Sequence, residues 1–165
     1  MLGNEQLIEL QNFVDVHMGM LAIHEIMFNY TESAYETKAY VEIDDFVKHN
    51  RKPTFNRVLF GYMDKKGLTD VDIYNQAGID RKHFSKIRKP DYHPGKRTVI
   101  SLALALNLNK KETDSLLSSA GYALSESDTF DLVIRFCLEK KIYDAHDVDA
   151  ALDYFSLKLL VGTME

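Results

Sequence analysis

The chain has 165 residues, 45% of them hydrophobic and 27% charged, which is enough apolar material to bury a core without cross-links. Its single cysteine excludes an internal disulfide framework and is typical of a reducing compartment. The start of the chain lacks the basic and apolar parts of a signal peptide, and no stretch reaches the roughly 20 apolar residues of a membrane span. We therefore expect a cytoplasmic protein without membrane contact.

The net charge of −5 is distributed very unevenly along the chain. Residues 1–47 contain nine acidic residues and one lysine, a net of −8. Residues 48–97 contain thirteen lysines and arginines against five aspartates, a net of +8, and residues 98–165 have a net of −5. A basic centre between acidic flanks favours contact of one face with an anionic partner. A basic surface that is merely solvated is the alternative.

The N-terminal segment, residues 1–50, has helical periodicity. Apolar residues three or four positions apart predict an amphipathic helix: Leu7, Leu10, Val14, Met18 and Leu21. Ser33 and Glu36 have the spacing of a capping box and predict that a second helix begins there. Its apolar side would contain Tyr35, Ala39, Ile43 and Phe46. Residues 39–43 are rich in β-formers, which leaves a short strand as the alternative.

The central segment, residues 54–121, predicts five helices. Thr54, Thr69 and Asp80 are predicted to cap the first three of them. The fourth is predicted to open at Thr98, and the fifth to begin at Asn109 or Lys110. Glycines that end a helix or turn the chain follow three of them: Gly67, Gly78 and Gly121. The second and third helices are short and are predicted over residues 70–77 and 81–88.

The C-terminal extension, residues 127–165, predicts two further helices that begin at Ser127 or Asp128 and at Asp144. The last helix contains apolar residues at helical spacing: Val148, Leu152, Phe155 and Leu159. These four residues either pack on the core or form the interface of a two-fold dimer. The whole chain is therefore predicted to be all-α.

The two short helices on either side of Gly78 have the pattern of a helix-turn-helix. This motif needs apolar residues at fixed positions of both helices and a left-handed glycine between them. All five of these positions are apolar: Ile73, Ala77, Ile79, Phe84 and Ile87. Together with the capping residues, they favour this motif over an unrelated helical hairpin.

The pattern DRKHFSKIR…Y.PGKRTVISLALALNL…ETDSLLSSAGYALS is similar to a bacterial helix-turn-helix family whose members stand alone or occur in larger proteins, some with macro domains. More broadly, residues 55–121 resemble the five-helix DNA-binding domain of the Cro/repressor-like (XRE-like) superfamily. The resemblance continues to about residue 160 and does not cover the N-terminal segment. Tyr74 departs from it, because the superfamily has alanine four residues before the turn glycine. Its ring implies a wider helix crossing or a ring turned to the side.

The resemblance implies that the third helix enters the major groove of double-stranded DNA. Base contacts are assigned to Arg81, Lys82 and Lys86, with His83 and Ser85 as further candidates. Because arginine and lysine donate to guanine O6 and N7, we expect a half-site that contains guanine. Phosphate contacts are assigned to the residues that follow this helix: Arg88, Lys89, Lys96, Arg97 and Thr98, the last with its helix N-terminus.

The sequence contains no catalytic or metal-binding pattern. His24-Glu25 lacks the second histidine of the HExxH metalloprotease helix, and the six histidines do not have ligand spacing. Residues 95–98 lack the first glycine and the preceding strand of a P-loop. Cys137 lies on a predicted apolar face, where a thiol is inert. We expect neither an enzyme nor a cofactor.

Two functions are compatible with these features. The first is a sequence-specific transcriptional repressor that binds double-stranded DNA as a homodimer, since one short helix reads too few bases. The second is an interaction module of the same fold that inhibits or bridges a protein or nucleoprotein target in bacterium–phage conflict. The acidic N-terminal segment, rich in methionine and aromatic residues, is either core, a surface for a protein partner or ligand, or an arm that mimics nucleic acid.

Overall fold

The computed structural model describes residues 3–161, apart from the side chains of Tyr30 and Glu32, and within this range every regular element is helical. Eight α-helices follow one another there: α1 (Asn4–Asn50), α2 (Phe55–Lys66), α3 (Asp70–Ala77), α4 (Arg81–Ile87), α5 (Lys96–Ala105), α6 (Lys110–Ser119), α7 (Thr129–Glu139) and α8 (Ala145–Tyr154). The all-α prediction is confirmed. The chain divides into a first unit that ends at Arg51 and a second that begins at Lys52.

α1 is one uninterrupted helix of 47 residues. The predicted helix start at Ser33 is wrong, because the Ser33 carbonyl accepts a hydrogen bond from the Thr37 hydroxyl at 2.8 Å and lies inside the helix. The strand alternative for residues 39–43 is wrong as well, since these residues continue the same helix. α1 ends shortly before Pro53, whose ring disfavours the helical conformation of the preceding residue.

α5 lies at the centre of the second unit, where it contacts α3, α6 and α8. Seven of its ten residues are buried, and Val99, Ile100 and Leu102 have no exposed surface. A helix that is apolar on every side is stable only when other elements surround it. The same core continues into α7 and α8 through the fully buried Ile134 and Leu152. The predicted C-terminal extension therefore shares its core with the central helices.

The segment after α8 is attached by a buried carboxylate. Asp149 accepts hydrogen bonds from the backbone N–H groups of Leu160 at 2.6 Å and Val161 at 3.2 Å. The side chain of Val161 lies beside Gly78, 3.4 Å from the position that a Cβ would occupy there. This part of the chain therefore covers the turn between α3 and α4.

Most of the predicted helix starts are confirmed. At five of them the side chain of the N-cap residue accepts hydrogen bonds from backbone N–H groups of the first turn: Thr69, Asp80, Asn109, Asp128 and Asp144. Thr54 occupies the N-cap position of α2 without such a bond. The start at Thr98 is wrong, because α5 begins at Lys96 with Gly95 as its N-cap.

Candidate nucleic-acid interface

The α3–α4 corner, residues 69–87, is fixed by its caps and its turn. The Thr69 hydroxyl accepts from the Asp72 N–H at 3.3 Å, and the Asp72 carboxylate accepts from the Thr69 N–H at 2.9 Å and from its hydroxyl at 2.7 Å. The bonds from Thr69 lower the pKa of Asp72. Gly78 has a φ of +66°, as the motif requires, and Asp80 accepts from the His83 N–H at 2.7 Å. The direction of α4 relative to α3 is thus set by local bonds.

The apolar side chains of the α3–α4 corner are buried. None of the five residues predicted to form its core is more than 3% exposed: Ile73, Ala77, Ile79, Phe84 and Ile87. The Tyr74 ring packs against the Phe84 ring, with 6.0 Å between the centroids and a tilt of 54°. The larger side chain at this position is therefore accommodated by ring packing where the two helices meet.

The outer side of α4 carries three exposed cations, Arg81, Lys82 and Lys86. None of them forms an ion pair with another residue in the part of the chain that the structure describes. The other two residues assigned to base contact have partners within the chain. The Ser85 hydroxyl donates to the Arg81 carbonyl at 2.9 Å, and the half-buried His83 ring has its Nε2 3.2 Å from the Tyr92 hydroxyl oxygen.

The two basic residues that follow α4 differ in their availability. The Arg88 guanidinium lies 2.6 Å from the Asp70 carboxylate and 5.3 Å from the centre of the Phe60 ring. Lys89 is exposed and has no ion pair among residues 3–161, although its carbonyl accepts from the Asn56 amide at 3.2 Å. Arg88 therefore has an anionic partner within the protein, whereas Lys89 has none among residues 3–161.

The sequence assigned Lys96 and Arg97 to phosphate contacts, but in the structure both side chains have partners within the protein. Lys96 Nζ lies 2.6 Å from a carboxylate oxygen of Asp131, a residue that is 2% exposed. Arg97 donates to the carbonyls of Lys158 and Leu159 at 2.9 and 3.2 Å, and its guanidinium lies 4.4 Å from the centre of the Phe130 ring. Thr98 is half-buried inside the first turn of α5. Lys96 and Arg97 therefore connect α5 with the C-terminal part of the second unit.

Two cations on α2 were not assigned from the sequence. Arg57 and Lys65 are exposed and line a shallow depression of about 410 Å³ around Gly61. The neighbouring Asn56 donates to the carbonyls of Ile87 and Lys89, which places the start of α2 against the end of α4. Arg57 therefore follows directly after the residue that binds the end of α4. Arg57, Gly61 and Lys65 follow one another at steps of four residues and therefore share one face of α2. This spacing could have indicated from the sequence that the two cations lie on the same face.

The four residues proposed for a dimer interface are divided by the structure. Val148 and Leu152 are fully buried in the core, so these two side chains are not available to a second copy. Leu159 is half-buried and lies beyond the end of α8, whereas Phe155 is 54% exposed. Phe155 lines an apolar groove of about 530 Å³ together with exposed residues of α7 and α8. The largest of these are Leu132, Phe136 and Tyr154.

Other kinds of site have little support in residues 3–161. Within this range no group of three or more His, Cys, Asp or Glu side chains could hold a metal ion, and no helix is long and apolar enough to cross a membrane. Cys137 is buried, and burial raises the pKa of its thiol. No family model, curated protein or solved structure matches the chain. Its function must therefore be inferred from its own residues and geometry.

Proposed function

We propose that the second unit is a Cro/repressor-like helix-turn-helix module that binds double-stranded DNA with α4 as its recognition helix. The observation that carries the proposal is the set of exposed, unpaired cations on the outer side of α4, namely Arg81, Lys82 and Lys86. In this proposal the protein is a transcriptional repressor, because occupation of an operator is sufficient to block transcription and requires no cofactor.

The geometry of α4 supports base contact. The helix has seven residues and is therefore about 10 Å long, which fits a major groove about 12 Å wide. Lys82 and Lys86 lie one turn apart on the side opposite the buried Phe84 and Ile87. Both can donate to guanine O6 and N7, as can Arg81 at the start of the helix. The caps and the buried side of the corner hold this row of donors in one orientation.

The phosphate contacts in this proposal come from Lys89 and Arg57. Lys89 follows α4, and Arg57 lies on α2 next to the residue that binds the end of α4. Lys96 and Arg97 are less suitable, because contact with phosphate would require them to leave Asp131 and the C-terminal carbonyls. Removal of one cation that binds a phosphate should reduce the dependence of log K on log salt by about one. We therefore expect this reduction for Lys89→Ala and for Arg57→Ala.

Specific recognition further requires two copies of the corner. One short helix reads three or four bases, so a homodimer on two half-sites about 34–36 Å apart is the arrangement that gives useful specificity. The expected operator is therefore a palindrome with guanine in each half-site.

The experiment that tests the proposal is a selection of bound sequences from random DNA duplexes at near-physiological salt, followed by a salt titration on the enriched site. Lys82→Glu/Lys86→Glu should abolish binding to that site, because each base contact contributes about 1–3 kcal/mol. Lys111→Glu/Lys158→Glu is the matched control, since it makes the same charge change at two exposed lysines elsewhere in the second unit. The control protein should retain the selected site.

Two results would contradict recognition by α4. One is the absence of any enriched sequence together with no duplex binding at low salt. The other is an equal loss of affinity in the two charge-reversal variants, which would mean that only net charge matters.

The apolar groove between α7 and α8 favours a second candidate function. Phe136, Tyr154 and Phe155 are 53%, 83% and 54% exposed, and such a surface is typical of contact with a protein. In this alternative, the module inhibits or bridges a protein or nucleoprotein target, for example in bacterium–phage conflict. It predicts that Phe136→Glu/Phe155→Glu abolishes the biological activity while duplex binding, if present, is unchanged.

A further inference from the structure

The described side chains of α1 are exposed to solvent from one end of the helix to the other. It spans 47 residues, about 70 Å at 1.5 Å per residue, and every residue of it whose burial the structure describes is exposed. Its large apolar side chains include Phe13, Met20 and Met27, which are 61%, 65% and 62% exposed. Because most helical stability in proteins comes from packing rather than from propensity, a helix of this composition requires a partner that covers it.

The apolar residues of α1 lie on more than one side of the helix, so the amphipathic pattern predicted from the sequence is incomplete. The predicted set, which includes Leu7, Val14 and Leu21, is exposed, and a heptad stripe lies on the other side. Five large side chains follow one another at steps of three and four: Phe13, Val16, Met20, Ile23 and Met27. The same seven-residue spacing continues beyond them at Ala34 and Val41. This is the a and d pattern by which helices pack along one another in coiled coils and bundles.

The charge of α1 excludes several kinds of partner. Residues 4–50 contain nine acidic residues and two lysines, a net of −7, so α1 repels both DNA and anionic membrane surfaces. The acidic residues of the middle of the helix, such as Asp15, Glu25 and Glu36, lie away from the stripe by helical geometry. A basic partner on the stripe would therefore meet few carboxylates at its border. A second copy of the same stripe is apolar and brings no carboxylates of this region together.

The size of α1 is also sufficient for stable association. A helix about 70 Å long and about 10 Å wide, laid along an identical one, covers roughly 700 Å² on each chain. Stable protein interfaces bury about 800 Å² per partner. Contact along the whole length of α1 therefore approaches the size of a specific interface. The stripe alone spans about 21 Å, so the contact has to continue along the rest of the helix.

We propose that α1 is a self-assembly helix, which joins copies of this chain along its length, with the stripe from Phe13 to Met27 as the apolar centre of the contact. The occupant of the stripe is α1 of another copy. This association is independent of DNA and of the role proposed for α4.

Salt distinguishes self-assembly from binding of a basic partner. Screening weakens the repulsion between two acidic helices, so added salt should strengthen the association of copies. The same salt weakens any attraction between α1 and a basic partner, as it weakens binding of the second unit to DNA.

The test is sedimentation of the full chain without DNA, over a range of protein concentrations and at low and high salt. We expect a mass of at least two chains, with a dissociation constant that decreases as salt is added. Met20→Glu/Met27→Glu introduces two charges into the stripe and should give the mass of one chain. The control Gln11→Glu/Asn29→Glu adds the same two charges to the opposite side of α1 and should keep the assembled mass.

Circular dichroism of the same samples keeps the test decisive when α1 unfolds on dissociation. A monomeric Met20→Glu/Met27→Glu protein with reduced helix content, beside a control that keeps both mass and helix, supports the proposal. A full chain that stays at the mass of one copy at all concentrations and salts overturns it. The same is true if the stripe variant keeps the assembled mass.

Discussion

α1 and α5 are both rich in apolar residues, yet they have opposite surroundings. In α5, seven of ten residues are buried among helices of the same unit. In α1, every residue whose burial is described is exposed over 47 positions. The apolar surface of a helix is thus covered either by other parts of the same chain or by another molecule, and the composition of the helix does not show which. The consequences of a mutation should differ accordingly between the two units.

The largest expected difference concerns leucine truncation. Leu102→Ala in α5 removes a side chain with no exposed surface and leaves a cavity, so unfolding of the second unit should become easier by about 2–5 kcal/mol. Leu21→Ala in α1 removes the same atoms from a residue that is 63% exposed, and should change that free energy by less than about 0.5 kcal/mol. Urea unfolding of both variants measures the contrast. Equal losses would mean that α1 belongs to the core of the second unit.

A smaller difference is expected between two ion pairs. Lys96→Met leaves the buried Asp131 carboxylate with the Ser125 N–H, at 2.7 Å, as its remaining donor. Because Lys96 itself is partly exposed, we expect a loss of about 1–3 kcal/mol in the free energy of unfolding. Lys48→Met breaks the exposed pair with Asp44 in α1, for which we expect less than about 0.5 kcal/mol.

Urea unfolding at neutral pH compares these two variants as well. Asp131→Asn added to Lys96→Met should recover part of the loss, since the uncompensated charge is then absent. A Lys96→Met protein as stable as the wild type would show that Asp131 does not require its cation.

The smallest expected difference concerns two similar capping sequences. Thr69→Ala removes a formed cap and should destabilise the second unit by about 1 kcal/mol, whereas Ser33→Ala should not, because Ser33 lies inside α1. The pKa of Asp72 is lowered below 3.8 in the folded protein, so its contribution to stability is present above that pH and is lost as pH falls through the lowered value. Thr69→Ala should therefore reduce the loss of stability on acidification.

Urea unfolding at pH 7 and at pH 3 measures both effects. An unchanged difference between the two pH values in Thr69→Ala would mean that the Thr69 hydroxyl does not act on Asp72.

Much of the fold was predictable because its signals are local. A capping residue and its N–H partner are two or three residues apart. Asp80, Asp128 and Asp144 therefore predict helix starts from the local sequence, and the structure confirms them. The start predicted at Ser33 failed for a related reason. A capping residue acts only where the preceding backbone leaves the helical region, and the sequence around Ser33 does not encode such a break.

The candidate site was predictable to a lesser extent. The outward direction of Lys82 and Lys86 follows from the apolar spacing of α4 and agrees with their exposure. The pairing of Lys96 with Asp131 joins residues 35 positions apart, and Arg97 binds a carbonyl 61 positions away. Sequence reveals such charges but not their partners, because long-range pairing depends on where the fold places α7 and the C-terminal segment relative to the start of α5.

The burial of Cys137 has a practical consequence for kinetics. It is the single thiol of the chain and lies in α7, inside the core of the second unit. A thiol reagent can react with it only after this core opens, so the labelling rate in native conditions reports the opening rate or the opening equilibrium of that unit. Labelling of Cys137 thus measures the opening of the second unit without an engineered probe, and α1, which has no cysteine, contributes no signal.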